Sequence, residues 1–219
     1  MNQRQKKKQR RLKNKRLVTR YPFLRPRNRW TDKPDPSYRY DYTEWDAMPA
    51  GWRKAFGNEL LEELREELIR CDYLEQFRIV QLKEKYGSLR LYTGPIPADS
   101  KIDQIIDKYE HISAYVCLSC GALDAPIIDN HGWYEPVCKK CWDRQEKAYE
   151  KRTSMSEKEY IKIPYEEMVK DCDTLCIPES YTIHTYAPSG VTKETYDISD
   201  TVKKIRKKYK NTRNSKKSN

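Results

Sequence analysis

Residues 117–141 read CLSCGALDAPIIDNHGWYEPVCKKC, and this stretch decides how the middle of the chain is built. It holds four of the seven cysteines as two Cys-x-x-Cys pairs, Cys117/Cys120 and Cys138/Cys141, with seventeen residues between them. That spacing is the one expected of a four-thiolate zinc site. A Cys-x-x-Cys turn sets two sulfurs on one side of a tight loop and leaves backbone amides free to donate to them. Two such turns joined by a hairpin close a tetrahedron with Zn–S distances of ~2.3 Å. Gly121, directly after the first pair, suits the left-handed backbone such a knuckle needs. PIID (126–129) and GWYEPV (132–137) supply two strands, with Asn130–Gly132 as the turn. Four thiolates leave zinc no open position, so the expected Zn2+ is structural. Four reduced thiols without metal, or an iron site, are the alternatives. Cys71, Cys172 and Cys176 are unassigned thiols: a second site would need a fourth ligand, for which His184 is the one candidate, and such cysteines more often pack than ligate.

Working outward, the segment before the first pair divides into three pieces. In WRKAFGNELLEELREELI, Trp52, Phe56, Leu60, Leu64 and Leu68 recur every four residues, joined by Leu61, which predicts an amphipathic helix with its glutamates in solvent. FRIVQLKEKYGSLRLYT (77–93) predicts a hairpin turning at Gly87. SKIDQIIDKYEHISAYV (100–116) predicts a second helix, buried through Ile102, Ile105, Ile106, Tyr109, Ile112 and Val116 and capped by Ser100 with Asp103. After Cys141 the sequence predicts an exposed helix over WDRQEKAYEKR, a short helix in PYEEMVKDC and a second hairpin from YTIHTY to VTKETYDI. Earlier, Tyr38, Tyr40 and Tyr42 alternate at period two, as on a short extended piece. The fold class is therefore α+β: a helix–hairpin–helix core followed by a four-cysteine, zinc-ribbon-like module, with flexible basic termini. The expected segments are a basic arm (1–30), the core (31–116), the zinc-binding module (117–142), an extension (143–200) and a basic tail (201–219).

Charge is divided as sharply as structure. The 219-residue chain carries 44 Lys and Arg against 33 Asp and Glu. Residues 1–30 hold 13 of the basic residues and residues 201–219 hold 9, and neither segment contains an acid. Residues 31–200 thus carry 22 basic against 33 acidic residues, a balance of −11. Blocks of like charge stay solvated, so both ends are expected to be disordered when free. A polycation gains free energy by releasing counterions from a polyanion, which makes nucleic acid or a nucleoprotein the expected partner and an acidic membrane surface the second choice. The candidate contacts are Lys6, Lys7, Lys8, Arg10, Arg11, Lys13, Lys15 and Arg16, with Lys203, Lys204, Arg206, Lys207 and Lys208 at the other end. The bland alternative is that the ends only confer solubility.

No stretch approaches the ~20 apolar residues of a membrane-spanning helix, and no apolar core follows the N-terminal basic run as a secretory signal requires. Paired Cys-x-x-Cys motifs without secretion argue for a reducing compartment, so a cytoplasmic location is expected. Phosphate-binding, nucleophile-elbow and HExxH motifs are absent, and seven glycines leave little for phosphate-cradling loops. An HNH-type nuclease would place Asp129, Asn130 and His131 near two Cys-x-x-Cys pairs. The gap here is short for it, and no second His or Asn follows Cys141 where one is needed. The chain reads as a non-enzyme.

Four pieces in order carry a resemblance: MPAGWRKAFGNELLEELREEL (48–68), VQLKEKYGSLRLY (80–92), YEHISAYVCLSCG (109–121) and GWYEPVCKKC (132–141). Together they resemble a group of uncharacterised bacteriophage and prophage proteins with a P-x-GW helix start, a KEK[YF]G-x-LR hairpin and a terminal four-cysteine module. The resemblance covers about residues 21–142 and excludes the region after Lys151. It implies a phage-encoded accessory protein in a bacterial host cytoplasm, with no particular activity. The expected function is nucleic-acid or nucleoprotein binding through the basic ends. An inhibitor of a host defence system or enzyme, acting by protein–protein contact, is the first alternative. A structural component of a ribonucleoprotein or virion is the second.

Overall fold

The computed structural model describes residues 1–28, 31–130, 132–153, 164–169, 176–187 and 190–215. His131 and Cys172, both named above, lie outside the described residues. The architecture is α+β: helices with three separate two-stranded antiparallel sheets. In chain order the elements are α1 (Gln3–Arg20), α2 (Asn58–Arg70), β1 (Ile79–Lys85), β2 (Ser88–Thr93), α3 (Ile102–Ser113), β3 (Ile127–Asn130), β4 (Trp133–Pro136), α4 (Lys139–Thr153), α5 (Tyr165–Met168), β5 (Ser180–Ala187), β6 (Gly190–Asp197) and α6 (Ser199–Ser215). A helical turn at Ala50–Trp52 and a π turn at Arg53–Gly57 lead into α2. The π turn interrupts the every-fourth-residue stripe expected to run unbroken from Trp52 to Leu68. Between β1 and β2 the two turn residues, Tyr86 (φ 52°) and Gly87 (φ 79°), are both left-handed, as a type I′ hairpin turn demands. No helix among the described residues is long and apolar enough to cross a membrane.

The chain forms two compact units. The first comprises Met1–Pro49, Gly57–Lys85 and Leu89–Asp107. Its core collects Phe23, Leu24, Met48, Leu60, Leu61, Leu64, Leu68, Phe77 and Leu89, with Phe23 meeting Phe77 edge-on at 5.5 Å. Like charges predict an unfolded N-terminal arm, but the structure holds the 18-residue helix α1 there. Its first turn is closed by a capping box between Asn2 and Gln5. Arg11 donates two hydrogen bonds to Asp41 at 2.8 and 2.7 Å, and Asn14 Nδ2 donates to the Tyr40 carbonyl at 3.0 Å. At the far end Arg20 and Tyr21 both donate to Glu62. Burial of Asn14 and Val18 completes the seam. Tyr38, Tyr40 and Tyr42 do cluster, with the Tyr38 and Tyr40 ring centroids 4.8 Å apart. They do so on a bent segment with Tyr40 at φ 59°, not on an extended one.

One glutamate of α2 is also misplaced by the pattern. Glu67 is buried, receives both arms of the Arg70 guanidinium at 2.9 and 2.7 Å, and accepts the Lys101 N–H at 2.6 Å. The Lys101 carbonyl in turn accepts from Ile105 in the first turn of α3, so Glu67 anchors the start of that helix. The Ser100 hydroxyl donates to the Pro97 carbonyl beside it. The Arg70 hydrogen bonds and the Lys101 N–H, working against burial, bring the Glu67 carboxyl down to about 2.

The second unit comprises Ala50–Phe56, Tyr86–Ser88 and Lys108–Asn219. Phe56 stacks on Tyr109 at 5.6 Å, beside buried Trp52, Ile112 and Val116. A second cluster joins Cys117, Ala125, Ile128, Val137, Cys141, Trp142, Tyr165 and Met168. The C-terminal basic segment also folds where a flexible tail is expected. Val202 and Ile205 of α6 are buried, and Arg206 grips Asp124 at 2.8 and 2.9 Å. Both termini therefore depart from the expected flexibility for one reason: each carries a short apolar or polar seam and meets a carboxylate distant in sequence.

The depressed carboxyl of Glu67 has a consequence for acid stability. Its contribution is complete above the ordinary glutamate pKa of ~4.3 and fades as pH falls toward 2. Glu67→Ala is expected to cost about 1–3 kcal/mol at neutral pH by stranding the Lys101 N–H. It should also flatten the decline of melting temperature between about pH 4.5 and 2.5. Thermal melts across that range check both effects.

Candidate metal centre

The Sγ atoms of Cys117, Cys120, Cys138 and Cys141 all lie within 4.8 Å of one another. The Cys120 and Cys138 sulfurs are 3.7 Å apart. Sulfurs at ~2.3 Å from a common tetrahedral ion would be about 3.8 Å apart, while a disulfide would bring them to about 2 Å. The arrangement is thus a cage that could coordinate a metal ion such as zinc. Cys117 and Cys141 are buried and Cys120 and Cys138 half-buried, so one edge of the cage faces solvent.

The two knuckles are made differently. The first is a loop: Val116 bridges Leu123, the Cys117 N–H donates to the Ala122 carbonyl at 2.8 Å, and the Gly121 N–H returns to the Cys117 carbonyl at 2.9 Å. Gly121 sits at φ 78°, as the turn requires, and the Ala122 N–H points at the Cys120 sulfur at 3.4 Å. The second knuckle is the start of helix α4. The Cys138 carbonyl accepts from the Cys141 and Trp142 N–H groups, placing Cys138 at the cap and Cys141 in the first turn. Negative charge on these thiols faces the positive end of the helix dipole. Between the knuckles, β3 and β4 pair antiparallel from Ile127↔Pro136 to Asn130↔Trp133, matching the expected hairpin. The Val137 carbonyl and Leu118 N–H tie the module together, the former accepting from Tyr165 Oη at 2.7 Å and the latter donating to the Pro136 carbonyl at 3.0 Å.

A third element supports the first knuckle, and no spacing rule in the sequence points to it. The Gly51 N–H donates to the Leu118 carbonyl at 2.8 Å, and the Trp52 indole donates to the Val116 carbonyl at 2.7 Å. A Cβ on Gly51 would lie 2.2 Å from the Cys117 oxygen and 2.6 Å from the Leu118 oxygen; one on Gly121 would lie 2.6 Å from the Gly51 oxygen. Two glycine backbones meet with no room between them. Lys54, one turn further on, donates to the Cys120 carbonyl at 3.1 Å. It shares with Lys140 and Arg144 a pocket of about 510 Å³ that opens beside Cys120, Cys138 and Cys141.

Free of metal, Cys120, Cys138 and Cys141 do not ionise alike. Burial pushes the Cys138 thiol up to about 11, reinforced by the neighbouring sulfurs, and raises Cys141 as well. Cys120 goes the other way: burial opposes its charge, but the Ala122 N–H and the three other thiols donate to it and lower its pKa. A metal entering this cage must therefore expel protons, so its hold strengthens with rising pH.

The candidate nucleic-acid contacts are scattered across two elements, and the structure sorts them. On α1, Arg11 is committed to Asp41, with Lys7 and Arg10 each 3.8 Å from the same carboxylate. The Arg11 hydrogen bonds hold the Asp41 carboxyl below its usual range. Lys6, Lys8, Lys13, Lys15 and Arg16 are exposed, with no ion partner among the described residues. On α6, Arg206 is bound to Asp124 and Lys203 lies 3.6 Å from Asp200, whereas Lys204 and Lys207 face solvent. Lys139 pairs with Glu166 at 2.9 Å.

Cys138→Ala is expected to abolish metal retention after dialysis and to unfold the module, because apparent binding energies at such sites are about 10–16 kcal/mol. Gly51→Ala should destabilise by about 3 kcal/mol with the four cysteines intact, since neither carbonyl can yield to the added methyl. Elemental analysis, circular dichroism and thermal melts separate the two effects. Acidification should release the ion from the wild-type chain, followed with a metallochromic dye. Compared with known proteins, the chain matches no family, no curated protein and no solved structure.

Proposed function

We propose that this chain is a non-enzymatic, zinc-binding accessory protein of phage type that engages nucleic acid or a nucleoprotein through its basic helices. The observation that carries the reading is the presence, in one chain, of a four-sulfur cage and of cationic helix faces that no carboxylate among the described residues occupies. Four thiolates satisfy a tetrahedral zinc ion, so the metal's task is to hold the module rather than to activate water. On α1 the seam to the body uses Arg11, Asn14 and Val18 and leaves Lys6, Lys8, Lys13, Lys15 and Arg16 outward. Lys204 and Lys207 play the same part on α6. Folding these helices in advance removes much of the ordering cost that a disordered basic tail meets on binding.

One observation favours a second reading, contact with a host protein. Trp133 at the β3–β4 tip and Tyr86 at the β1–β2 turn are 65% and 72% exposed, and both types are enriched in protein interfaces.

The nucleic-acid reading makes a quantitative demand on salt. Five outward cations on α1, each displacing counterion from duplex DNA, give a log–log slope of affinity against salt of about −4 to −5. Fluorescence anisotropy with the purified full chain measures it. A flat response refutes the reading, and a stoichiometric protein partner that survives nuclease treatment in affinity capture points to the second. Elemental analysis of the same sample is expected to return one zinc per chain.

A further inference from the structure

Charge alone does not say which nucleic acid α1 accepts, but its shape and surface do. We propose that α1 is a preformed element for the major groove of B-form duplex DNA, an inference that rests on the nucleic-acid function above. At 1.5 Å per residue its 18 residues span about 27 Å. Residues 1–10 are all exposed, and only Lys7 and Arg10, each 3.8 Å from Asp41, reach toward the unit. Hydrogen-bonded contact with the unit begins at Arg11 and continues through Asn14 to buried Val18, which fixes the direction in which the exposed half points.

The residues around the helix fall into an ordered pattern. At 100° per residue, Arg11, Asn14 and Val18 mark the body side. Gln9, Leu12 and Arg16 lie opposite. Between these two edges run two flanks, Lys6 with Lys13 and Lys8 with Lys15, each pair seven residues and therefore about 10 Å apart along the axis. A helix about 10–12 Å across enters a major groove about 12 Å wide. Inserted by its outer edge, α1 would turn one cationic flank toward each phosphate wall, the arrangement that positions a protein on a duplex. From Gln9 onward the same edge opens into a groove of about 540 Å³ walled by Asn58 and Glu62, which limits insertion to the N-terminal turns.

Other polyanions fit less well. The major groove of A-form RNA is too deep and narrow for side chains to read. Single strands are held by stacking on aromatic rings, and α1 contains none. A membrane surface needs an apolar face, and Leu12 is the one large apolar residue exposed along the helix. The helix also lacks what phosphates would provide. Its first turn has no acid to answer the dipole, and Arg4–Lys8 and Lys6–Arg10 set like charges one turn apart.

Anisotropy titrations of the full chain against duplex DNA of two helical turns, duplex RNA of the same sequence and the corresponding single-stranded DNA test the inference. Duplex DNA is expected to bind roughly tenfold tighter than either competitor at fixed salt. The double variant Lys8→Ala/Lys13→Ala should lower the salt slope on duplex DNA by about two. Gln9→Pro breaks the exposed half of α1 at unchanged charge, five residues before the first buried one, Asn14. It should leave the melting temperature in place, keep salt-dependent binding and erase the preference for duplex DNA. Equal affinity of the wild-type chain for RNA or single strands, or a preference that survives Gln9→Pro, overturns the inference while leaving the polycation reading standing. Absence of any salt-dependent binding removes both.

Discussion

Convergence of four sulfurs from a short loop and a helix start is the constraint on which the second unit depends. Neither knuckle has much of its own to hold it. The β3–β4 hairpin is four residues a side, below what is independently stable in water. Buried apolar contacts through Ile128, Val137, Trp142 and Tyr165 back the sulfurs on one side. A metal ion would bind the knuckles covalently from the other. Because Cys138 is at once a candidate ligand and the residue whose carbonyl opens α4, the helix start and the cage are one structural decision.

The charge distribution follows a different logic. Acidic residues are confined to the middle of the chain, and three of them receive the basic helices from a distance in sequence: Asp41 collects Arg11 with Lys7 and Arg10 nearby, Glu62 takes Arg20, and Asp124 takes Arg206 while also accepting the Ile177 N–H. A few cations on each helix are used to hold it in place, and the remainder are turned outward. Exposed ion pairs of this kind contribute little individually. What they fix is orientation, so a run of lysines becomes a surface with a defined face.

Much of this was readable from the chain alone, and the boundary of legibility is physical. Periodicity identified α2 and α3 because a buried face leaves a repeat, and the two Cys-x-x-Cys pairs announced the four-sulfur cluster because knuckle chemistry fixes ligand spacing. The β5–β6 and β3–β4 hairpins were announced by alternation and turn residues. The fate of the two ends was not legible. Repulsion within a basic run is a local property, whereas Asp41 is 30 residues from Arg11 and Asp124 is 82 from Arg206. Nor does any local rule separate Glu67 from its exposed neighbours, since its burial comes from an N–H 34 residues away. The glycine pair Gly51 and Gly121 belongs to the same class: each is innocuous in its own segment and constrained only by the other.

That glycine contact offers a ruler for kinship. With carbonyl oxygens crowding the space a methyl would fill, position 51 tolerates hydrogen and nothing larger unless the main chain retreats. A protein that shares both Cys-x-x-Cys pairs but bears a side chain at the matching place must seat its knuckle against some other support. One that preserves glycine followed by tryptophan there inherits this particular junction, whatever its surface has become.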